Sequence, residues 1–587
     1  MTDQLDRTPT ATPFDEAPPP ADEAPHPALS EVVDHDLATA PAPAAGLDRT
    51  VFGIAAAVIV GFVVWGLLDT ASLSSSSSAA LDWVLTNTGW LFVLTTSAVV
   101  VFVLWLALSR YGAIPLGRDD EEPEFRTVSW IAMMFSAGMG IGLMFYGVSE
   151  PLSHYTTPPP GTEGRGDDAA AATAMATTMF HWTLHPWAIY ALVGLAIAYG
   201  SYRKGRVQLI SATFAPLLGR RASGGAGRLI DVFAIFATLF GSATSLGLGA
   251  LQISSGLEIV GGVGPLGNGA LVAIIAVLTA AFVASAVSGV AKGIQWLSNT
   301  NMVLAVVLAL FVFIVGPTVF ILNLVPTSLG SYVQDLGMMA GRTGAEGTGT
   351  QDWLGDWTVF YWAWWLSWTP FVGMFIARIS RGRTIWQFVT GVLLVPSAVS
   401  LLWFCILGGT AIDLQDAGRD LASADGLEAQ LFDTLGALPL GTIAGVVVMV
   451  LVAIFFVSGA DAASIVMGSL SEHGSTSPRR PVVIFWGVAT GAVAAVMLLA
   501  GTDALEGLQT ITIVAALPFV FVLIGLAVSL VADLRTDPLV VRRRYAVEAV
   551  EQAVIDGVSE HGDDFALVVG ASEPTPAERR QSSVSGR

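Results

Sequence analysis

Twelve apolar runs, each near the length of about twenty residues that crosses a ~30 Å hydrocarbon layer as a helix, constrain this 587-residue chain more than anything else in it. They fall near 52–69, 88–109, 127–149, 178–201, 229–257, 269–291, 301–323, 355–379, 385–409, 441–467, 481–501 and 508–533. Ordinary globular domains are about 25% charged, whereas this chain is 13% charged and 53% AVILMFWYC. Most of it is therefore solvated by lipid, and the expected fold class is an all-α integral membrane protein with twelve transmembrane helices.

Composition then removes several functions. With 27 Lys and Arg against 47 Asp and Glu, a net charge of −20, no basic stripe is available to neutralise phosphates, so nucleic acid is excluded as a partner. The lone cysteine, Cys405, lies in an apolar run and builds neither a disulfide framework nor a thiolate metal cluster within one chain. The absence of a G-x-x-x-x-G-K-[ST] loop removes the simplest case for an ATP-driven pump. No nucleophile, base and oxyanion arrangement shares a helix face, so an enzyme is not expected. No cofactor is implied either, and any driving force comes from an ion gradient.

Residues 1–50 carry ten carboxylates and nine prolines and read as a disordered acidic cytoplasmic tail with no cleaved signal peptide. Positive charge stays in the cytoplasm, and placing the N-terminus there puts fifteen Lys and Arg on cytoplasmic loops and only Arg165, Arg342 and Arg419 outside. Both termini are then cytoplasmic in a multi-pass protein of the cell membrane. Residues 51–110 supply two peripheral helices. Residues 327–354 read as an external amphipathic helix and loop, with Leu329, Tyr332 and Leu336 on one face. The C-terminal tail, 534–587, opens with Arg535 and Arg542–Arg544; these fit a positive-inside anchor, a contact with anionic lipid or a partner for the acidic tail.

Three motifs carry chemistry. The third run holds Ser136-Ala137-Gly138-Met139-Gly140-Ile141-Gly142. Small residues let helices approach closely, but these glycines do not share one face, and concentrated glycine also marks a helix that unwinds at mid-membrane to free carbonyls for a cation and amides for an anion. In the eighth run, Trp364, Trp368 and Trp365 project at about 0°, 40° and 100° on a helix wheel, deeper than an interfacial belt requires. Such a cluster forms a box whose ring faces hold a quaternary ammonium. Trp182, Trp187 and Tyr190 form a second aromatic set beside Pro186. His181 and His185, with no carboxylate near them in sequence, read as polar residues near the external surface rather than metal ligands. Thr238, Ser242 and Ser245 form a narrow hydroxyl stripe, either sodium ligands or groups bonded back to helix carbonyls. Ser458 and Asp461 stand likewise in the tenth run, as functional groups or helix ties.

Together these segments resemble the betaine/carnitine/choline transporter family over about residues 50–535; Trp357–Trp368 is the most specific match, with Ser136–Glu150, Thr238–Gly249 and Asn299–Asn301 in agreement. The resemblance implies a LeuT-like core of two inverted five-helix repeats, here 111–326 and 355–533, and a homotrimer. It places the substrate against Ala137, Gly138, Met139, Gly140, Ile141 and Gly142 and within boxes of Trp182, Trp187, Tyr190, Trp362, Trp364, Trp365 and Trp368. In sodium-coupled members one ion site falls on Thr238, Ser242 and Phe371, the other on Ser136, Met139, Phe455, Ser458 and Gly459. Such members have two consecutive hydroxyl residues where this chain has Ser458-Gly459, so one side-chain ligand is lost. Choline-preferring members tend to carry Asp where this chain has Gly142, so a net-neutral zwitterion fits better.

The expected activity is sodium symport of a compatible solute, glycine betaine first, for osmoprotection. A proton-coupled symporter or exchanger for choline, carnitine or ectoine is the alternative, and an osmosensing channel is the alternative of another class. A long basic C-terminal extension of the kind linked to osmotic activation is missing, since 545–587 holds only Arg579, Arg580 and Arg587 as Lys or Arg.

Overall fold

Helices occupy all twelve apolar stretches in the computed structural model, which describes residues 46–567 except 139, 163–168, 289–290, 502–503 and 563, and omits the side chains of 135–138 and 286–298. The acidic tail, most of the end of the C-terminal tail and Arg165 lie outside the described residues. The first two helices are α1 (Arg49–Leu68) and α2 (Thr70–Leu108). At 39 residues α2 is the longest of the described helices, and its first half carries the serine run 74–78 while its second is apolar but for Thr95, Thr96 and Ser97. Asp48 caps α1, accepting from the Thr50 and Val51 amides and from Arg228 Nε at 3.0 Å. Burial pushes the Asp48 carboxyl up, but the Val51 amide and the Arg228 guanidinium outweigh it and hold it below the usual carboxylate range. A lowered native pKa gives stability that is full above the unfolded value and lost as pH falls through the native one. Asp48→Asn is therefore expected to lower the thermal midpoint at neutral pH, by an amount that shrinks once the pH drops below about 4; a pH-independent difference would show that the charge is unused.

The third stretch is broken. Helix α3 (Thr127–Gly138) stops within the glycine run, Gly140 is extended, and α4 (Ile141–Thr156) starts again with no side-chain cap. The fourth is also interrupted, as α5 (Ala170–Trp182) and α6 (Leu184–Ala198) meet at Thr183. Pro186 lacks the N–H that would have met the Trp182 carbonyl, which accounts for the break. Long helices α7 (Gly225–Ile259), α8 (Asn268–Ser288) and α9 (Ala291–Val315) follow.

Two boundaries differ from the sequence reading. The seventh helix ends at Val315, not 323, because Gly316-Pro317 turns the chain by 110° into α10 (Thr318–Gly341). This surface helix buries Ile321, Leu324, Ser328, Tyr332, Asp335 and Met339, whereas Leu329 is 51% exposed, so its packed face is rotated from the expected one. A π-turn at Gly355–Val359 then leads into α11 (Phe360–Ile379). The remaining elements are α12 (Ile385–Asp416), α13 (Ala429–Gly436), α14 (Gly441–Ser471), α15 (Arg480–Ala500), α16 (Ala504–Arg535) and α17 (Pro538–His561).

Among the described residues nine helices are long and apolar enough to cross a membrane, or ten if the bent α9–α10 pair is one span. The broken α3–α4 pair and the tryptophan-rich α11 are not among the nine, because the break leaves pieces of 12 and 16 residues and the indoles lower the hydropathy of α11. Helix α11 lies at the centre, packed on α6, α7 and α16, while α4 packs on α5 and α12. On one side of the molecule Arg203 meets Asp537 with Nε and Nη2 at 2.9 and 3.0 Å, and Asp119 at 2.6 Å. Arg542 also reaches Asp119, at 3.2 Å, so this C-terminal arginine has a protein partner.

Candidate functional site

The break before α4 and the indole face of α11 meet. Bare amides at the start of α4 carry the partial positive charge of a helix N-terminus, and Gly142 is the residue over which two rings close. A Cβ on Gly142 would lie 2.6 Å from Trp364 Cη2 and 2.8 Å from Trp182 Cη2, so only glycine fits this arrangement. Trp364 and Trp365 are stacked, with centroids 4.7 Å apart at 14°. Trp182 stands edge-on to Trp365 at 4.8 Å and 74°, and Trp368 lies edge-on to Trp364 at 6.5 Å and 82°. The N–H groups are held away from the box: Trp364 donates to Ser245 Oγ at 3.2 Å, Trp365 to the His181 carbonyl at 3.0 Å and Trp368 to the Gly241 carbonyl at 3.0 Å. Ring position is thus fixed by polar bonds at one edge and by stacking between neighbouring rings.

Two adjoining cavities result. Gly140, Gly142, Trp182, Trp187, Tyr190, Trp364, Trp365 and Trp368 border the smaller, of about 40 Å³. Gly140 and Trp368 also border the larger, of about 230 Å³, which extends past Ile141, Ser242, Ser245, Asn301, Phe371, Phe455, Ser458 and Gly459. Among the described residues no charged side chain lines either one.

Six of the seven aromatic residues expected at the box therefore border it. Trp362 does not: two positions before Trp364 it projects to the other side of α11, stacked on His185 at 5.0 Å and 18° and edge-on to Phe180. Ala137 and Gly138 end α3, with side-chain surroundings outside the described residues, as are those of Ser136 and the whole of Met139. Of the ion-site residues, Ser242, Phe371, Phe455, Ser458 and Gly459 share the larger cavity. Thr238 stands apart from it, fully buried and donating to the Ala234 carbonyl at 2.8 Å. Ser458 Oγ donates back to the Ile454 carbonyl at 2.9 Å while the residue borders the larger cavity. Asp461 is buried outside both cavities.

The reading of His181 and His185 as surface groups is corrected, since they are 0% and 2% exposed. His181 Nδ1 is 2.7 Å from Glu150 Oε1 and its Nε2 is 2.9 Å from Thr358 Oγ1. Glu150, His154 and His181 lie close enough together to be considered for a metal. However, 2.7 Å is a hydrogen bond, shorter than the ~3.3 Å between two ligands ~2.0 Å from a tetrahedral zinc. Asn301 was passed over as a site residue; it is 1% exposed, borders the larger cavity, and neither of its amide atoms has a hydrogen-bond partner. A polar amide inside an apolar run was the available signal.

Residues 50–539 match the model of the betaine/carnitine/choline (BCCT) family of transporters. The chain belongs to this family. BCCT proteins are transporters, not enzymes, and the helices described above are those of a multi-pass membrane protein. The betaine/ectoine transporter LcoP of Corynebacterium glutamicum is 49% identical over 530 residues, 90% of this chain and 84% of that one. The glycine betaine transporter OpuD of Bacillus subtilis is 45% identical over 488 residues, covering 83% and 94%. Glycine betaine transporter 1 of Vibrio parahaemolyticus is 41% identical over 499 residues, covering 84% and 94%.

Proposed function

We propose that this BCCT protein imports a zwitterionic quaternary ammonium solute, glycine betaine first, by sodium symport with alternating access across the cell membrane. The observation that carries the reading is a neutral box: ring faces beside bare helix amides, with no charged side chain among the described residues lining either cavity. A cation such as choline brings a charge that nothing in the lining balances, at a desolvation cost. A zwitterion brings its own counter-charge, its ammonium on the ring faces and its carboxylate on the amides of α4. The names of the relatives point to betaine and ectoine as solutes. At about 40 Å³ the box holds little more than water, so the solute enters through the larger cavity and the box widens to admit its ammonium.

Sodium belongs in the larger cavity, whose hard oxygens come from Ser242, Ser245, Asn301 and Ser458. The full reading includes twelve membrane crossings with both termini cytoplasmic, two inverted five-helix repeats, a trimer, and two ion sites, one that also draws on Thr238 and the other on Ser136 and Met139. Uptake of labelled glycine betaine into proteoliposomes tests it: accumulation is expected under an inward sodium gradient and not under equal potassium, and accumulation driven by protons alone would overturn sodium coupling. The open space at Gly459, with nothing within 4 Å of a built Cβ, allows a sharper check. Gly459→Ser restores the missing hydroxyl and is expected to lower the sodium concentration for half-maximal uptake about tenfold, the scale of one bond to a charged group. An unchanged sodium response would remove α14 from the ion site.

A further inference from the structure

Behind the box, outside both cavities, a carboxylate joins its walls. Glu150 is fully buried on α4. Its Oε1 accepts from His181 Nδ1 at 2.7 Å, with His154 Nε2 at 3.5 Å, and its Oε2 accepts from Trp182 Nε1 at 2.6 Å and from the Tyr361 hydroxyl at 2.5 Å. The donors sit on two other helices, His181 and Trp182 on α5 and Tyr361 on α11. Tyr361 in turn lies parallel to Trp365 at 5.9 Å and 15°. One side chain on the helix that restarts after the glycine break thus holds both the edge-on indole of α5 and the stacked layer of α11.

We propose that Glu150 is a positioning residue for solute binding: it touches no solute, and its carboxylate sets the angle between Trp182 and the Trp364–Trp365 stack that the ammonium requires. The inference rests on the reading of the box as the substrate site. The two carboxyl oxygens offer about four lone-pair sites, room for the three buried groups that converge on them from α5 and α11. Without it the Trp182 N–H and the Tyr361 O–H are buried and unpaired, and Trp182 has no bond to keep its edge against Trp365. A glutamine preserves most of the geometry. Its amide oxygen accepts from Trp182 and Tyr361, and its amide N–H faces His181 Nδ1, whose proton moves to Nε2 and is donated to Thr358 Oγ1.

The test compares Glu150→Leu with Glu150→Gln in proteoliposomes, together with near-ultraviolet circular dichroism of the solute-free proteins, which reports how the indoles are packed. Glu150→Leu is expected to raise the half-saturating glycine betaine concentration about tenfold, with the maximal rate per inserted protein nearly unchanged, and to alter the indole band. Glu150→Gln is expected to stay within about threefold of the parent in half-saturation and to keep its band. A parental half-saturation and band in Glu150→Leu, a fall in maximal rate alone, or a glutamine variant as impaired as the leucine one would each overturn the proposal. If Glu150→Leu fails to insert, Tyr361→Phe, which deletes one donor and keeps its ring, is expected to raise half-saturation about threefold, and a parental value there overturns the proposal too. A parent that takes up no glycine betaine would instead refute the substrate reading, while the band comparison still decides whether Glu150 orders the box.

Discussion

Replacing Gly142 with valine is expected to lower uptake at limiting glycine betaine about 100-fold while the protein still inserts at parental abundance. The cause is steric and local. Even a Cβ at this position meets the edges of both Trp364 and Trp182, at 2.6 and 2.8 Å. Neither ring yields easily: Trp364 is tied to Ser245 and stacked on Trp365, and Trp182 is tied to Glu150. A branched side chain also screens the first amides of α4 from the solute carboxylate. Initial rates in proteoliposomes of known protein content check this, and a parental half-saturation would show that the solute does not bind over Gly142.

Trp365→Ala carries the second large effect, a rise of about 30-fold in the half-saturating solute concentration. This follows from removing one desolvated cation–π contact of ~2 kcal/mol. Trp365 is suited to such a contact because its N–H is occupied by the His181 carbonyl and its ring borders the box. Trp365→Phe, which keeps a smaller ring face, is expected to recover part of the loss. If the alanine variant lost maximal rate and kept its half-saturation, the ring would be serving packing or movement rather than solute binding.

Much of this architecture was legible because lipid imposes one simple rule, that a crossing helix is a long apolar run. The tryptophan face of α11 and the unwinding at the glycine run could be read the same way, from spacing and composition. The family motif groups Trp362 with the box, whereas helix geometry turns it from Trp364 and Trp365 toward His185. The seventh helix was overextended because Phe320–Val325 continue the apolar pattern past Gly316-Pro317, and hydropathy carries no information about direction. His181 looked unpartnered for a different reason. Glu150, its partner, lies 31 residues away on another helix, and only packing brings the two together. The same holds for Asn301, whose meaning depends on a cavity that five helices line.

The length of α2 has a consequence for where the molecule sits. At 1.5 Å per residue its 39 residues span about 58 Å, nearly twice the ~30 Å hydrocarbon layer. Hiding it by tilt alone needs roughly 60°, beyond the 0–40° that membrane helices adopt. Its serine-rich half therefore stands among the headgroups and the water beyond. Trp83 and Trp90, 56% and 55% exposed and two turns apart on one side of the rod, mark the level at which it emerges. A lipid layer thicker by one helical turn, ~5.4 Å, therefore draws another turn of α2 out of the headgroups and into the hydrocarbon.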